Sequence, residues 1–432
     1  MRASFLARTL AASALAMSPA LGTPCAQAVS PPKVDDSLLP KPARPSPPSP
    51  TVQREVCAPL STDAEPGSSQ NVDDLPRVWQ LTRGAGQRVA VIDTGVSRHP
   101  RLPDVVPGGD YVSTGDGTQD CDAHGTMVAG IIAAATSSDH PESFSGLAPE
   151  ATLIAIRQSS AKFAPAKDRS RAGIGDVDTL AKAVRTAADL GASVINISSV
   201  ACVAVTSALD DRALGAALAY AVDVKNTVVV AAAGNSGAAQ CPPQRPDSTW
   251  ETITVAVSPA WYDDYVLTVG SVNAQGKPSA FTLAGPWVDV AAPGEDVSSL
   301  ASEKVSGTSY AAPVVSGLAA LIRARFPGLT ARQVMQRIES TAHHPPAGWD
   351  PLVGNGTVDL LAAVSTDAGP LPSAAAPTPM PIATAPSAPP ESHGRDTALR
   401  GAIFCLTPLA VTLAIGAARV RLRRSRDSVP GD

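Results

Sequence analysis

Arg88-Val89-Ala90-Val91-Ile92-Asp93-Thr94-Gly95 is the stretch on which the fold turns. Its four central apolar residues do not alternate with polar ones, so they read as a strand buried on both faces, the mark of a parallel sheet covered by helices. The strand ends on an acid, and Gly95 turns the chain. Residues 152–157 (TLIAIR), 193–198 (SVINIS) and 227–233 (TVVVAAA) are three more runs of the same kind. Helical patterns fill the gaps. Asp178 is placed to cap a helix running to Leu190 with Gly191 as its stop, and a second helix spans Leu209 to Lys225 and ends at Asn226. This alternation predicts an α/β fold over residues 71–364: a doubly wound, mainly parallel sheet with helices on both faces. In such sheets ligands bind at the carboxyl ends of strands, which is where Asp93 stands. Residues 159–175 fit neither pattern and, with Lys162, Lys167, Arg169 and Arg171, read as a mobile basic loop.

Outside this middle the composition changes. The chain has 432 residues, of which 44% are hydrophobic and 17% charged, enough apolar content for a sizeable core. Sixteen of its 41 prolines fall in residues 31–50 and 370–390. Such windows favour extended polyproline II spacers, so they mark an N-terminal extension over 29–70 and a Pro/Ala-rich linker over 365–398. Ahead of the extension, Arg2 and Arg8, an apolar run and Ala26-Gln27-Ala28 form the pattern of a secretory signal peptide over 1–28. Beyond the linker, residues 401–418 hold no charge, and Arg419, Arg421, Arg423, Arg424 and Arg426 follow. At ~1.5 Å per residue the run spans roughly 27 Å, close to the thickness of a bilayer core. One C-terminal transmembrane helix over 399–418 is therefore expected, with an Arg-rich cytoplasmic tail over 419–432 and the folded middle outside the cytoplasm. A buried core helix is the alternative, but nothing after it would cover it.

The 34 basic residues against 39 acidic ones leave a net charge of −5, which offers no attraction to a phosphate backbone and argues against a nucleic-acid partner. Cys25 and Cys405 fall in the signal and membrane segments. Cys57, Cys121, Cys202 and Cys241 remain, and four thiols outside the cytoplasm read as two disulfides with three connectivities open. They lack the paired spacing of a zinc site, so no metal and no cofactor is expected. Asp116, Asp120 and Asp122 form no convincing cation loop and read as a solvated turn.

Taken singly, the polar residues around this frame have ordinary explanations. Asp93 would serve as a turn or cap residue. His124 opens the small-residue run His124-Gly125-Thr126-Met127-Val128-Ala129-Gly130, where a helix packs closely. Ser309, in Ser306-Gly307-Thr308-Ser309-Tyr310-Ala311-Ala312-Pro313, would cap an Ala- and Val-rich helix, and Asn235 follows a buried strand within Ala233-Gly234-Asn235-Ser236-Gly237.

Together, an acid, an imidazole and a hydroxyl in the order Asp, His, Ser on a parallel α/β pattern match the chain order of subtilisin-like proteases. The resemblance covers about 290 residues and is carried by VIDTG, HGT-x-VAG, AAGN and GTSYAAP in that order. It implies a subtilisin-like fold in which Ser309 is the nucleophile, His124 the general base and acid, and Asp93 the carboxylate that fixes the imidazole. It implies that Asn235 is the side-chain donor of an oxyanion hole, with the backbone N–H of Ser309 as its companion. Ser198, Ser199 and Val200 match the segment that lines the main specificity pocket, here departing from the usual Ser-Leu-Gly, and Gly234 belongs to the pocket floor. Met127 replaces a histidine common in the family.

Within the subtilases the flanking architecture is similar to that of the mycosins, membrane-anchored proteases of actinobacterial type VII secretion. That resemblance implies protein or peptide substrates among exported proteins and a type VII secretion membrane complex as partner. The reading is a membrane-anchored extracytoplasmic serine endopeptidase; the rival is mainly a structural subunit of the secretion complex. For the cysteines we expect Cys57 to pair with Cys121 and Cys202 with Cys241, because the loops after the Ser198 and Asn235 strands end on the same side of the sheet. The extension is too poor in large apolar residues to fold alone and is expected to stay on the catalytic domain.

Overall fold

Each of the four apolar runs forms a strand of one seven-stranded sheet. The structure, a computed structural model, describes residues 29–59, 74–137 and 144–365, apart from 169, 171, 172, 208, 238–240 and 302. The expected signal peptide, most of the C-terminal linker and the expected transmembrane helix lie outside the described residues. Among the described residues no helix is long and apolar enough to cross a membrane. In chain order the elements are β1 (Thr51–Gln53), α1 (Leu75–Leu81), β2 (Arg88–Asp93), β3 (Val105–Asp110), α2 (His124–Ala133), β4 (Thr152–Arg157), β5 (Phe163–Pro165) and α3 (Val177–Asp189). Then come β6 (Val194–Ile197), β7 (Ala201–Ala204), α4 (Arg212–Ala219), a π-helical turn over Tyr220–Val224, β8 (Val228–Ala232), β9 (Val255–Ser258) and β10 (Leu267–Val272). The last are β11 (Val290–Pro293), α5 (Thr308–Arg325), α6 (Ala331–Ser340) and α7 (Leu360–Val364).

The sheet order is β11-β10-β8-β6-β2-β4-β3, with every neighbouring pair parallel. The chain winds from β2 to one side through β3 and β4, then crosses to β6 and continues on the other side. Asp93, the last residue of β2, thus ends at the point where the winding reverses. Every residue of β6, β8 and β10 is buried, as is β2 after Arg88. Burial of both alternating sets requires layers on both faces. Two helix pairs supply them: α2 packs on α5, and α3 packs on α4.

Three local expectations shift. The cap of α3 is Asp176, not Asp178: its side chain accepts the Thr179 N–H while the Thr179 hydroxyl oxygen accepts the Asp176 N–H, a reciprocal capping box. The helix expected over Leu209 to Lys225 starts only at Arg212 and loosens into the π turn. Residues 159–175 are not simply a basic loop, because β5 lies within them and pairs antiparallel with β1 of the extension, Val52 opposite Ala164.

That pairing belongs to a longer track. The Val29 N–H donates to the Trp250 carbonyl over 2.8 Å, Pro40 accepts from Arg185, and Thr51 Oγ1 donates to the Val112 carbonyl over 2.5 Å. Lys162 meets Glu55 at 2.7 Å, and Cys57 is bonded to Cys121. Gly109 shows why the track fits: at φ +123°, a Cβ there would lie 2.3 Å from Pro45 Cγ, so only glycine lets the extension lie against β3.

Candidate active site

β2 delivers Asp93, fully buried, and α2 begins at His124 itself. The two meet with His124 Nδ1 2.7 Å from Asp93 Oδ1, and the same oxygen accepts the Thr94 N–H over 2.7 Å. The imidazole side chain stays 28% exposed, so a buried acid anchors a ring still open to solvent. Burial pushes the imidazole toward its neutral form, but the charge of Asp93, the hydrogen bond to it and the carboxylates of Asp120 and Asp122 outweigh that. The net result is a pKa above the usual histidine value. The residue before the ring, Ala123, is held in the left-handed region at φ 65°. A non-glycine residue there is strained, and the strain sits directly against His124.

Ser309 is the second residue of α5 and is buried. Its hydroxyl makes no hydrogen bond to the imidazole in this structure; the next residue, Tyr310, packs its ring 5.2 Å from that of His124. Asn235 follows β8 and is fixed by Thr308, whose N–H and Oγ1 both donate to Asn235 Oδ1, over 3.0 and 3.1 Å. Holding the amide oxygen leaves its nitrogen on the Ser309 side. A Cβ added to Gly307 would lie 3.1 Å from Ser309 Oγ and 3.4 Å from Asn235 Nδ2. Gly307 therefore keeps clear the space that these two groups share. The Ser309 N–H lies in the first turn of the helix, whose donors have no intrahelical acceptor.

A second buried carboxylate lies beneath this group, where a solvated turn is expected from sequence. Asp120 is 7% exposed and accepts the Thr94 hydroxyl at 2.8 Å, the Thr126 N–H at 2.8 Å and the Thr126 hydroxyl at 2.7 Å. Burial raises its pKa to about 6 against the hydrogen bonds that lower it. Asp122 accepts from Ser160 Oγ and from the Ala161 N–H, and so ties the same loop to the segment before β5.

The residues expected to line a specificity pocket separate into two kinds. Ser198 is buried and turns inward, its hydroxyl donating to the Ser309 carbonyl over 3.0 Å. Ser199 is half-buried, its hydroxyl 3.4 Å from that of Ser159. Val200 and Gly234 come together: a Cβ on Gly234 would lie 3.5 Å from Val200 Cγ2 and from Cys241 Sγ. Cys241 is bonded to Cys202 of β7, beside that wall. Cys121, bonded to Cys57, lies three residues before His124. Among the described residues no group of three or more His, Cys, Asp or Glu side chains is placed to hold a metal ion.

Asp120, Thr94, Thr308 and Tyr310 are site residues that sequence reasoning misses. Thr94, Thr308 and Tyr310 adjoin Asp93 and Ser309 within VIDTG and GTSYAAP, and that placement is their signal. Asp120 gives none, since its burial depends on threonines on either side of it in the chain.

The sequence pattern of the Subtilase family, Peptidase S8, matches residues 84–356. Mycosin-4 of Mycobacterium tuberculosis (strain ATCC 25618 / H37Rv) is 65% identical over 451 residues, covering 98% of this chain and 98% of its own. A solved structure of MycP3, a protease from the type VII (ESX-3) secretion system, superposes with a TM-score of 0.72 at 44% identity, covering 78% of this chain and 100% of that one. A chain in the intact ESX-5 inner membrane complex does so with a TM-score of 0.71 at 37% identity, covering 91% of this chain and 100% of that one.

Proposed function

Because the chain belongs to the subtilase family of serine proteases, we propose that it is a membrane-anchored, extracytoplasmic endopeptidase in which Asp93, His124 and Ser309 cleave peptide bonds. The observation that carries this reading is the 2.7 Å contact between His124 Nδ1 and the buried Asp93 Oδ1, beside a helix N-terminus that presents Ser309. An unaided hydroxyl is a poor nucleophile near neutral pH. His124 takes its proton as the Ser309 oxygen attacks the carbonyl carbon, and Asp93 keeps the ring in the tautomer whose other nitrogen can accept. The oxyanion that develops is met by Asn235 Nδ2 and the Ser309 N–H, donors already in place before the charge appears. His124 then gives the proton to the leaving amine, and water repeats the cycle on the acyl-enzyme.

The substrates are proteins exported by a type VII secretion system, and the partner is that system's membrane complex. Similarity to MycP3 and to a chain of the ESX-5 inner membrane complex supports the association. The charge-free residues 401–418 and the arginines after them support the anchor.

Covalent labelling by an alkyl fluorophosphonate tests the chemistry. Wild-type protein should label at a single site, and Ser309→Ala should not label. His124→Ala and Asp93→Asn should label far more slowly while keeping their thermal stability; labelling of Ser309→Ala at the wild-type rate refutes the assignment. A second reading, in which the protein is mainly a structural part of the secretion complex, is favoured by one observation, the similarity to a chain built into an intact inner membrane assembly. Comparing the exported proteins of a Ser309→Ala strain with those of a deletion separates the two, since loss of export in the deletion alone makes the structural role primary.

A further inference from the structure

Pro313 stands four residues after Ser309 in α5, at the position whose N–H would otherwise close the helical hydrogen bond to the Ser309 carbonyl. Proline has no such hydrogen, so this buried carbonyl needs a donor from outside its helix. Ser198 supplies it over 3.0 Å. A serine hydroxyl has one hydrogen, and this one reaches Ser309 only if nothing else claims it.

The next two contacts ensure that. Asn196 Nδ2 donates to Ser198 Oγ over 2.9 Å, and Ser316 Oγ donates to Asn196 Oδ1 over 2.9 Å. Asn196 and Ser316 are fully buried, so water does not stand in for either partner. An amide has an accepting end and a donating end. If that of Asn196 were reversed, its oxygen would take the Ser198 hydrogen and the Ser309 carbonyl would lose its donor. Ser316 lies seven residues after Ser309 on the same face of the helix. A hydroxyl within a helix ordinarily donates to the carbonyl one turn back; here it reaches across to β6 instead. The chain of donors thus leaves α5 at Ser316, crosses Asn196 and Ser198, and returns to the same helix at Ser309.

We propose that Ser316, Asn196 and Ser198 are positioning residues for the reaction: Ser316 sets the sense of the Asn196 amide, and through Ser198 this holds the Ser309 peptide where its Oγ can attack and its N–H can meet the oxyanion. The proposal rests on the assignment of Ser309 as the nucleophile. The side chains of all three are buried and spend their hydrogen bonds on one another and on the Ser309 carbonyl, so the effect belongs in the chemical step and not in binding.

The test is the labelling reaction, in which the Ser309 Oγ–P bond forms, the P–F bond breaks, fluoride leaves and the serine proton passes to His124. The full chain is assayed for its saturating labelling rate and its half-saturating probe concentration. Ser316→Ala should lower the saturating rate roughly tenfold with the half-saturating concentration held within about twofold, as expected for a misplaced nucleophile. Ser198→Ala should lose at least as much, and the double variant no more than Ser198→Ala alone, because residues of one chain do not act additively. A saturating rate for Ser316→Ala within about twofold of wild type, or losses that multiply in the double variant, overturns the proposal. Should Ser316→Ala fail to fold, Pro313→Ala decides: it returns an N–H to the Ser309 carbonyl, and adding Ser198→Ala to it should cost little. A full Ser198→Ala loss in that background overturns the proposal. Labelling of Ser309→Ala at the wild-type rate instead overturns the nucleophile assignment, and the proposal with it.

Discussion

The hydroxyl of Thr94 donates to Asp120 Oδ1 over 2.8 Å while the Thr94 N–H donates to Asp93 Oδ1 over 2.7 Å, so one residue joins two buried carboxylates below the imidazole. Asp120 is therefore expected to bear on both stability and activity. Its folded pKa of about 6 is above that of a free aspartate, so the folded state binds the proton more tightly than the unfolded state. The stability this gives is complete below pH ~4 and is lost as pH rises through ~6, an effect of about 3 kcal/mol at most. We expect Asp120→Asn to flatten the fall in unfolding free energy between pH 4 and 7, measured by urea denaturation at a series of pH values. An unchanged slope would show that Asp120 is not the group titrating.

The same substitution should move the acid limb of activity. Asp120 is one of the carboxylates that hold the His124 pKa up, and removing its charge lets the imidazole lose its proton at lower pH. The acid limb of kcat/KM for a peptide substrate should shift downward in Asp120→Asn by a fraction of a unit. An upward shift would contradict the electrostatics of the site.

Much of this site was legible in the sequence because its chemistry sits inside short motifs. Asp93, His124, Asn235 and Ser309 each stand in a run of small or apolar neighbours, and β2, β4, β6 and β8 announce themselves as unbroken apolar stretches. What was not legible depends on distant partners. β5 is three residues in polar surroundings, and it exists because Thr51, Val52 and Gln53 pair with it from the extension. Asp120 reads as a surface acid until Thr94 and Thr126 enclose it. That the Ser198 hydroxyl turns toward Ser309 has no signal near Ser198 itself, because its cause, the proline at 313, stands on another element.

Gly307→Ala should nearly abolish peptidase activity with little loss of secondary structure. The added methyl would lie 3.1 Å from Ser309 Oγ and 3.4 Å from Asn235 Nδ2, in the ground between the proposed nucleophile and the proposed oxyanion donor. Asn235→Ala, which removes only the donor, should cost about 10²–10³ in turnover, the scale measured for such a donor in subtilisin. Steady-state kinetics on a peptide substrate decides both, and Gly307→Ala activity close to wild type would mean that the backbone there moves aside freely.

Ala123→Gly should stabilise the fold. Ala123 holds φ 65° at the start of α2, which costs an L-residue about 1–2 kcal/mol, and glycine relieves this at a smaller cost in unfolded-chain entropy. A net gain of roughly 0.5–1 kcal/mol is expected, read as a rise of about 1–4 °C in Tm by calorimetry. The Ala123→Val variant should move Tm the other way, because branching worsens the same clash. If glycine lowers Tm, the strain before His124 is compensated by contacts of the alanine methyl.

The extension should matter through its covalent tie. Cys57 and Cys121 are 64 residues apart, and a cross-link over a loop of that length stabilises by about 4 kcal/mol in the chain-entropy account. Because Cys121 lies three residues before His124, the bond also holds the loop that ends at the strained Ala123. Replacing both cysteines by serine should therefore lower Tm by roughly 10 °C or more and reduce activity as well, whereas replacing Cys202 and Cys241 should alter peptide preference through the wall at Val200. A chain that begins at Asp74 loses β1, the Lys162 to Glu55 pair and the disulfide together, and it should be less stable than the full chain. Equal stability combined with markedly higher activity in the shorter chain would identify residues 29–73 as an inhibitory segment instead of a structural brace.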